Sequence, residues 1–229
     1  MIVVTAGTLE YLPIIEAQAR KCREFGYEHR VYDLGGLGIG IRHEVSPSDF
    51  VPRVNGDSLP PATFKAALMA RVMLEADQNE LVCWLDADCL PLREFSPPGI
   101  MGGFDVAVTL RSAGEIGLSN NPALDYLNSG VVMIRNTRGG RRFCTAWHLG
   151  SVEENTDQGA LNNCVAPKWT PLLWIKVNPG EVVIAPCGAA VLILGAMEWN
   201  CWHLPPKPDT RILHFKRGIR NAAKDYIDR

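Results

Sequence analysis

Two carboxylates one residue apart close a run of apolar side chains: Leu81-Val82-Cys83-Trp84-Leu85 leads directly into Asp86-Ala87-Asp88. An uninterrupted apolar run of this length predicts a strand buried on both faces. In open α/β sheets ligands bind beyond the carboxyl ends of strands, which is where both acids would fall. Acids placed there repel one another and lose hydration unless a cation or donor group compensates. Hard divalent ions accept carboxylate oxygens and commonly complete their shell with substrate phosphates. Asp86 and Asp88 are therefore candidate ligands for Mn2+ or Mg2+. The plainer alternative is a turn-capping Asp86 beside a solvated Asp88.

Other patterns carry less on their own. Asn128-Ser129-Gly130 consists of turn-type residues that can simply open a strand. Thr156-Asp157 reads equally well as a helix cap followed by an acid that the helix dipole favours. His214 falls on a C-terminal strand, where a satisfied core histidine is the ordinary outcome. The glycine-rich stretch Gly35–Gly40 lacks the spacing of a dinucleotide fingerprint, and no Gly-x-x-x-x-Gly-Lys-Ser/Thr phosphate loop occurs.

The elements that must position these groups follow from periodicity. Ile2-Val3-Val4 reads as a buried strand. A helix with Thr8 as N-cap and Leu12, Ile15, Ala19 and Cys22 on one face follows, ending near Gly26. His29–Tyr32 reads as a second strand, giving the strand–helix–strand opening of a parallel sheet. Gly35 to Pro61 is expected to be a loop, and Ala62–Ala76 a helix carrying Lys65 near its start. Further strands are expected at Phe104–Leu110, Gly130–Arg135, Val182–Ala185 and Arg211–Phe215, with helices at Arg141–Leu149 and Thr156–Cys164.

Four segments in this order resemble the GT-A glycosyltransferases, in particular the glycogenin-like family 8 enzymes. They are Leu85-Asp86-Ala87-Asp88, Leu127-Asn128-Ser129-Gly130, Thr156-Asp157-Gln158 and Leu213-His214-Phe215 with Lys216 and Gly218. The resemblance runs from Val3 to about Arg220 and implies one domain over 1–229. Its nucleotide-binding part would span about 1–110, and its donor-sugar and acceptor part 111–229. The implied fold is α/β, a mixed, mostly parallel central sheet flanked by helices. The implied activity is metal-dependent transfer of a hexose from a nucleotide diphosphate sugar, UDP favoured, to an unidentified acceptor, with retention.

The same resemblance assigns roles. Asp86, Asp88 and His214 would hold the metal, Asp86 also meeting the ribose. Asn128 and Gln158 would contact the donor sugar, and Asp157 its hydroxyls or the reacting centre. Thr5, Ala6 and Tyr11 would line the nucleoside pocket, and Lys65 would approach the diphosphate. The C-terminal element has one residue more than the family pattern before Gly218, and Arg220 where a lysine is expected. The cationic diphosphate ligand therefore stays open among Lys216, Arg217 and Arg220. Trp199 and Trp202 are expected in the core, with an acceptor-stacking face as the alternative. A sugar nucleotidyltransferase is a competing reading, but Ala6-Gly7-Thr8-Leu9-Glu10 lacks the basic residues its loop would carry. A non-catalytic nucleotide-sugar-binding domain is the other, and a clustered pair of acids argues against it.

Bulk composition is compatible with this. A net charge of −2 offers no domain-wide basic field for nucleic acid or an anionic membrane. Seven scattered cysteines without a Cys-x-x-Cys pair predict free thiols and no cysteine zinc site. A reducing, cytoplasmic setting is the expectation. The apolar run from Gly188 to Met197 is too short to span a bilayer.

Overall fold

The computed structural model describes residues 1–35, 37, 43–44, 64–97, 103–117, 126–154, 156–166, 177–216 and 221–227. In chain order the strands are β1 (Ile2–Thr8), β2 (Glu28–Gly35), β3 (His43–Glu44), β4 (Leu81–Leu85), β5 (Cys89–Pro91), β6 (Val106–Leu110), β7 (Leu127–Arg135), β8 (Val182–Ile184), β9 (Ala190–Leu194) and β10 (Ile212–His214). The helices are α1 (Leu12–Glu24), α2 (Phe64–Glu75), α3 (Ala113–Gly117), α4 (Arg138–Glu154), α5 (Asp157–Val165), α6 (Ala196–Trp199) and α7 (Lys224–Ile227).

Eight strands form one sheet in the order β3-β2-β1-β4-β7-β6-β9-β8. The β3/β2, β2/β1, β1/β4 and β6/β9 pairs are parallel; β7 runs against both β4 and β6, and β8 against β9. The mixed, mostly parallel α/β sheet expected from the sequence is present. Strand alternation sends Val4, Val82, Trp84, Val108 and Val132 to a face shared with buried residues of α2, α4 and α5. Val3, Cys83, Leu85, Val131 and Met133 face the other way, towards Cys22 of α1 and Phe95. Both faces of β4 are fully buried, as its unbroken apolar sequence requires.

Several boundaries differ from expectation. Thr8 ends β1 and precedes a 3-10 turn, Leu9–Tyr11, without making a side-chain cap; α1 starts only at Leu12. Gly26, at φ 71°, follows the end of α1 as anticipated. Thr156 holds the N-cap position of α5 but makes no side-chain cap hydrogen bond. Asn128 and Ser129 lie within β7 rather than ahead of it, next to a register shift between Val108 and Thr109 on β6. Such bulges re-aim side chains beside sites. Within the apolar run Gly188 to Met197, Ala190–Leu194 forms a buried strand parallel to β6. The expected Gly35–Pro61 loop lies mostly outside the described residues. Among the described residues no helix is long and apolar enough to cross a membrane. All seven cysteines are free thiols.

Candidate active site

The Asp-x-Asp segment turns the chain from the large sheet into a second, two-stranded one. Asp86 N–H donates to Gly130 O at 2.9 Å, tying the end of β4 to β7. Cys89 N–H then donates back to Asp86 O at 2.9 Å, closing a tight turn. Buried Gln18 of α1 clamps that turn from below, its amide donating to Asp86 O at 2.8 Å and to Cys89 O at 2.5 Å. The chain continues as β5, which pairs antiparallel with β10 and sets His214 opposite Cys89. Phe215 N–H donates to Asp88 O at 2.8 Å and locks that register.

This construction brings together residues far apart in sequence. His214 Nε2 lies 2.9 Å from Asp88 Oδ1 and 3.9 Å from Asp86 Oδ2. Asp86 Oδ1 accepts from Trp84 Nε1 at 2.8 Å and pairs with Lys65 Nζ at 2.8 Å. Lys65 also pairs with Asp157 Oδ2 at 2.9 Å and donates to Ser129 Oγ at 3.2 Å. Burial alone would drive Lys65 towards neutrality, but Asp157 and Asp86 outweigh it and hold its ammonium above the ordinary lysine value.

A second charged group adjoins the first through Asn128. Asn128 Nδ2 donates to Glu115 Oε1 at 3.3 Å, and the same oxygen pairs with Lys216 Nζ at 2.5 Å. Glu115 also accepts the Ser112 N–H at 2.8 Å. Burial raises the Glu115 pKa, but Lys216, the Ser112 N–H and the Arg111 charge outweigh it and keep the carboxyl below its usual value. Asn128 Oδ1 meanwhile accepts Gly130 N–H at 2.7 Å.

The remaining expected residues divide. Tyr11 packs on the cluster that contains Ala87 of the Asp-x-Asp turn, beside Gly7. Thr5 turns its hydroxyl inward, 2.9 Å from Gln18 Oε1 and 3.1 Å from Leu85 O, so its side chain does not join the carboxylates. Ala6 packs with the core on the α2 face. Gln158 follows Asp157 in the first turn of α5. Arg217 and Arg220 lie outside the described residues. Trp199 is core, with the Arg211 guanidinium over its ring. Trp202 is half-buried and donates to Ser112 Oγ at 2.8 Å. Gln18, Glu115, Thr109 and Asn200 were not singled out in the sequence. Only Gln18 left a trace there, as a polar residue on the apolar stripe between Ile15 and Cys22.

Ligand atoms of Asp88, Cys89 and His214 lie within 4.8 Å of one another, a group that can hold a cation. Cys89 is the poorest donor of the three. Burial pushes its thiol pKa well above the ordinary value, and its S–H faces Gly130 O at 3.7 Å. Asp86, Asp88 and His214 supply a harder oxygen and nitrogen set. Ligands about 2.1 Å from an octahedral ion sit about 3 Å apart, which suits the Asp88–His214 spacing. Four carboxylates, Asp86, Asp88, Asp157 and Glu115, gather here; Lys65 pairs with Asp86 and Asp157, Lys216 with Glu115, and Asp88 lies against His214. A divalent cation beside Asp86 and Asp88 would offset their mutual repulsion.

No protein-family model matches the sequence, and no curated protein matches it. Solved structures do resemble it. A glycosyltransferase involved in glycosylation of the major capsid of PBCV-1 matches with a TM-score of 0.59 at 12% identity, over 100% of this chain and 98% of its own. The glycosyltransferase GlyE of Streptococcus pneumoniae TIGR4 matches at 0.55 and 15% identity, over 99% of this chain and 59% of its own. The bifunctional glycosyltransferase WbbM matches at 0.53 and 12% identity, over 95% of this chain and 46% of its own. At such identities the likeness speaks to architecture alone. The chain has the GT-A, Rossmann-like fold.

Proposed function

We propose that the chain is a metal-dependent glycosyltransferase that moves a hexose from a nucleotide diphosphate sugar, UDP-sugar favoured, to an acceptor of unassigned identity. The observation that carries this reading is the convergence of Asp86, Asp88 and His214 beside the Lys65–Asp157 ion pair at the end of β4. Mn2+ or Mg2+ held by those three side chains would supply Lewis-acid stabilisation of charge on the departing diphosphate.

The protein groups then have distinct tasks. Lys65 pairs with both Asp86 and Asp157, and would turn the first towards the cation pocket and the second towards the donor sugar. Asn128 and Gln158 would contact the sugar, and Tyr11 beside Ala87 would flank the nucleoside. Lys216, with Arg217, would add positive charge against the diphosphate. Because Asp157 is engaged by Lys65, it is poorly placed to act as a free base for an inverting displacement, which favours retention.

Thermal unfolding with nucleotide sugars, with and without Mn2+, tests the assignment. A ligand at one hundred times its Kd adds about 2.7 kcal/mol to stability. A UDP-sugar should raise Tm only when Mn2+ is present, and Asp88→Asn should remove that increment. Stabilisation by nucleoside triphosphates instead, or an Asp88→Asn variant that responds like the parent, would reject the reading.

A further inference from the structure

We propose that Asn200 is a positioning residue for the cation pocket: through a buried hydrogen-bond chain it fixes His214 as the tautomer protonated on Nδ1, presenting the Nε2 lone pair beside Asp88. This rests on the assignment of Asp86, Asp88 and His214 as cation ligands.

The polarity of the chain is set at its far end. Thr109 Oγ1 donates to Asn128 O at 3.3 Å. A carbonyl only accepts, so the single hydroxyl proton of Thr109 is committed there. Its oxygen is then the acceptor towards Asn200, whose Nδ2 lies 3.2 Å away. With its NH2 turned to Thr109, Asn200 directs Oδ1 at His214 Nδ1, 2.7 Å away. A carbonyl oxygen there requires a hydrogen on Nδ1. In the neutral ring Nε2 consequently keeps its lone pair for a cation on the Asp88 side, because a lone pair and a carboxylate oxygen 2.9 Å apart require an ion or a proton between them.

The four residues have 0–3% exposure, so water offers little competition for these bonds. Backbone pairing holds the ends in place: Cys201 N–H donates to Ile212 O at 3.0 Å, and His214 N–H donates to Cys201 O at 2.7 Å. Asn200 immediately precedes one clamp, and His214 forms the other. Ligating histidines ordinarily donate their second N–H to such an acceptor, and its loss costs about 10–100-fold in metal affinity. The chain also ends on the backbone of Asn128, which links the cation ligand to the segment proposed to meet the donor sugar.

Two measurements test this without relying on turnover. Mn2+ affinity, read by electron paramagnetic resonance of the free ion, should fall about 10–100-fold in Asn200→Ala. Asn200→Asp, which still offers an oxygen to Nδ1–H, should recover most of that loss. Thr109→Val should lie between them, because it removes the group that orients the amide. A purely structural Asn200 would lower Tm in Asn200→Ala while leaving the Mn2+ Kd of the folded protein unchanged, and that result overturns the proposal. Long-range 1H–15N correlation of the His214 ring in the Mg2+-loaded wild type should place the proton on Nδ1; a proton on Nε2 also overturns it. Should Asn200→Ala fail to fold, Asn200→Asp, Thr109→Val and the wild-type spectrum still decide. A wild type that binds no Mn2+ refutes the cation pocket, and a metal-free spectrum without a proton on Nδ1 overturns the Asn200 contact separately.

Discussion

Gly130 and His214 are packed so closely that a methyl group on Gly130 would lie 2.5 Å from Cε1 of the His214 ring and 2.9 Å from its Nδ1. The same methyl would meet Asn128 Oδ1 at 2.8 Å. Neither neighbour can give way cheaply, because Asn128 Oδ1 accepts the Gly130 N–H and the ring is held between Asn200 and Asp88. The glycine of the Asn-Ser-Gly segment is therefore a requirement of space.

Gly130→Ala should displace the imidazole and weaken Mn2+ binding by at least about tenfold, with overpacking costing about 1–3 kcal/mol. Mn2+ titration alongside urea denaturation reads both effects. An alanine variant with unchanged Mn2+ affinity would show that the ring does not depend on this contact.

Lys65 supplies the charge that lets Asp86 and Asp157 coexist. Lys65→Met keeps much of the side-chain bulk and removes the ammonium, leaving two largely buried carboxylates facing one another. Breaking a buried pair from one side typically costs about 3–5 kcal/mol. Asp157→Asn in the Lys65→Met background should return part of that, giving a coupling energy above about 1 kcal/mol in a double-mutant cycle. Additive losses in urea denaturation would mean that the two side chains do not stabilise one another.

The sequence made some of this legible for physical reasons. Burying β4 on both faces demands an unbroken apolar run, and the acids at its end stand out against that background. The strand Ala190–Leu194 has an equally apolar sequence, but a short run without periodicity does not declare its partner, and its place beside β6 appears only in three dimensions. The strand expected at Arg211–Phe215 is β10, but its partner β5 has three residues, too few for a pattern, and it is their pairing that delivers His214 to Asp88. Gln18, Glu115 and Asn200 are buried polar residues whose roles lie in their partners, and partners at |i−j| of 71, 101 and 14 are invisible to local spacing.

Glu115 holds Lys216 in place at neutral pH. Because its folded pKa lies below the ordinary carboxyl value, the stabilisation it contributes is complete above that value and lost as pH falls through the depressed one. Glu115→Gln should destabilise the protein at pH 7 by about 1–3 kcal/mol. The gap from wild type should close on acidification below about pH 4.5. Urea midpoints at pH 7 and pH 3.5 test this; a gap that stays constant would remove the ion pair as its source.

His29 makes an acid response of a different kind. Burial lowers its pKa to about 4, and its ring is 3.4 Å from the Thr5 hydroxyl with Nδ1 unpartnered. The unfolded chain takes up a proton near pH 6.5 that the folded chain refuses until about pH 4, so stability falls as pH drops through that interval. The full difference corresponds to at most about 3–4 kcal/mol. His29→Gln, which cannot titrate, should flatten the decline between pH 6.5 and 4 by nearly one proton. Matching slopes in wild type and variant would mean that the imidazole protonates without opening the packing between α1 and β2.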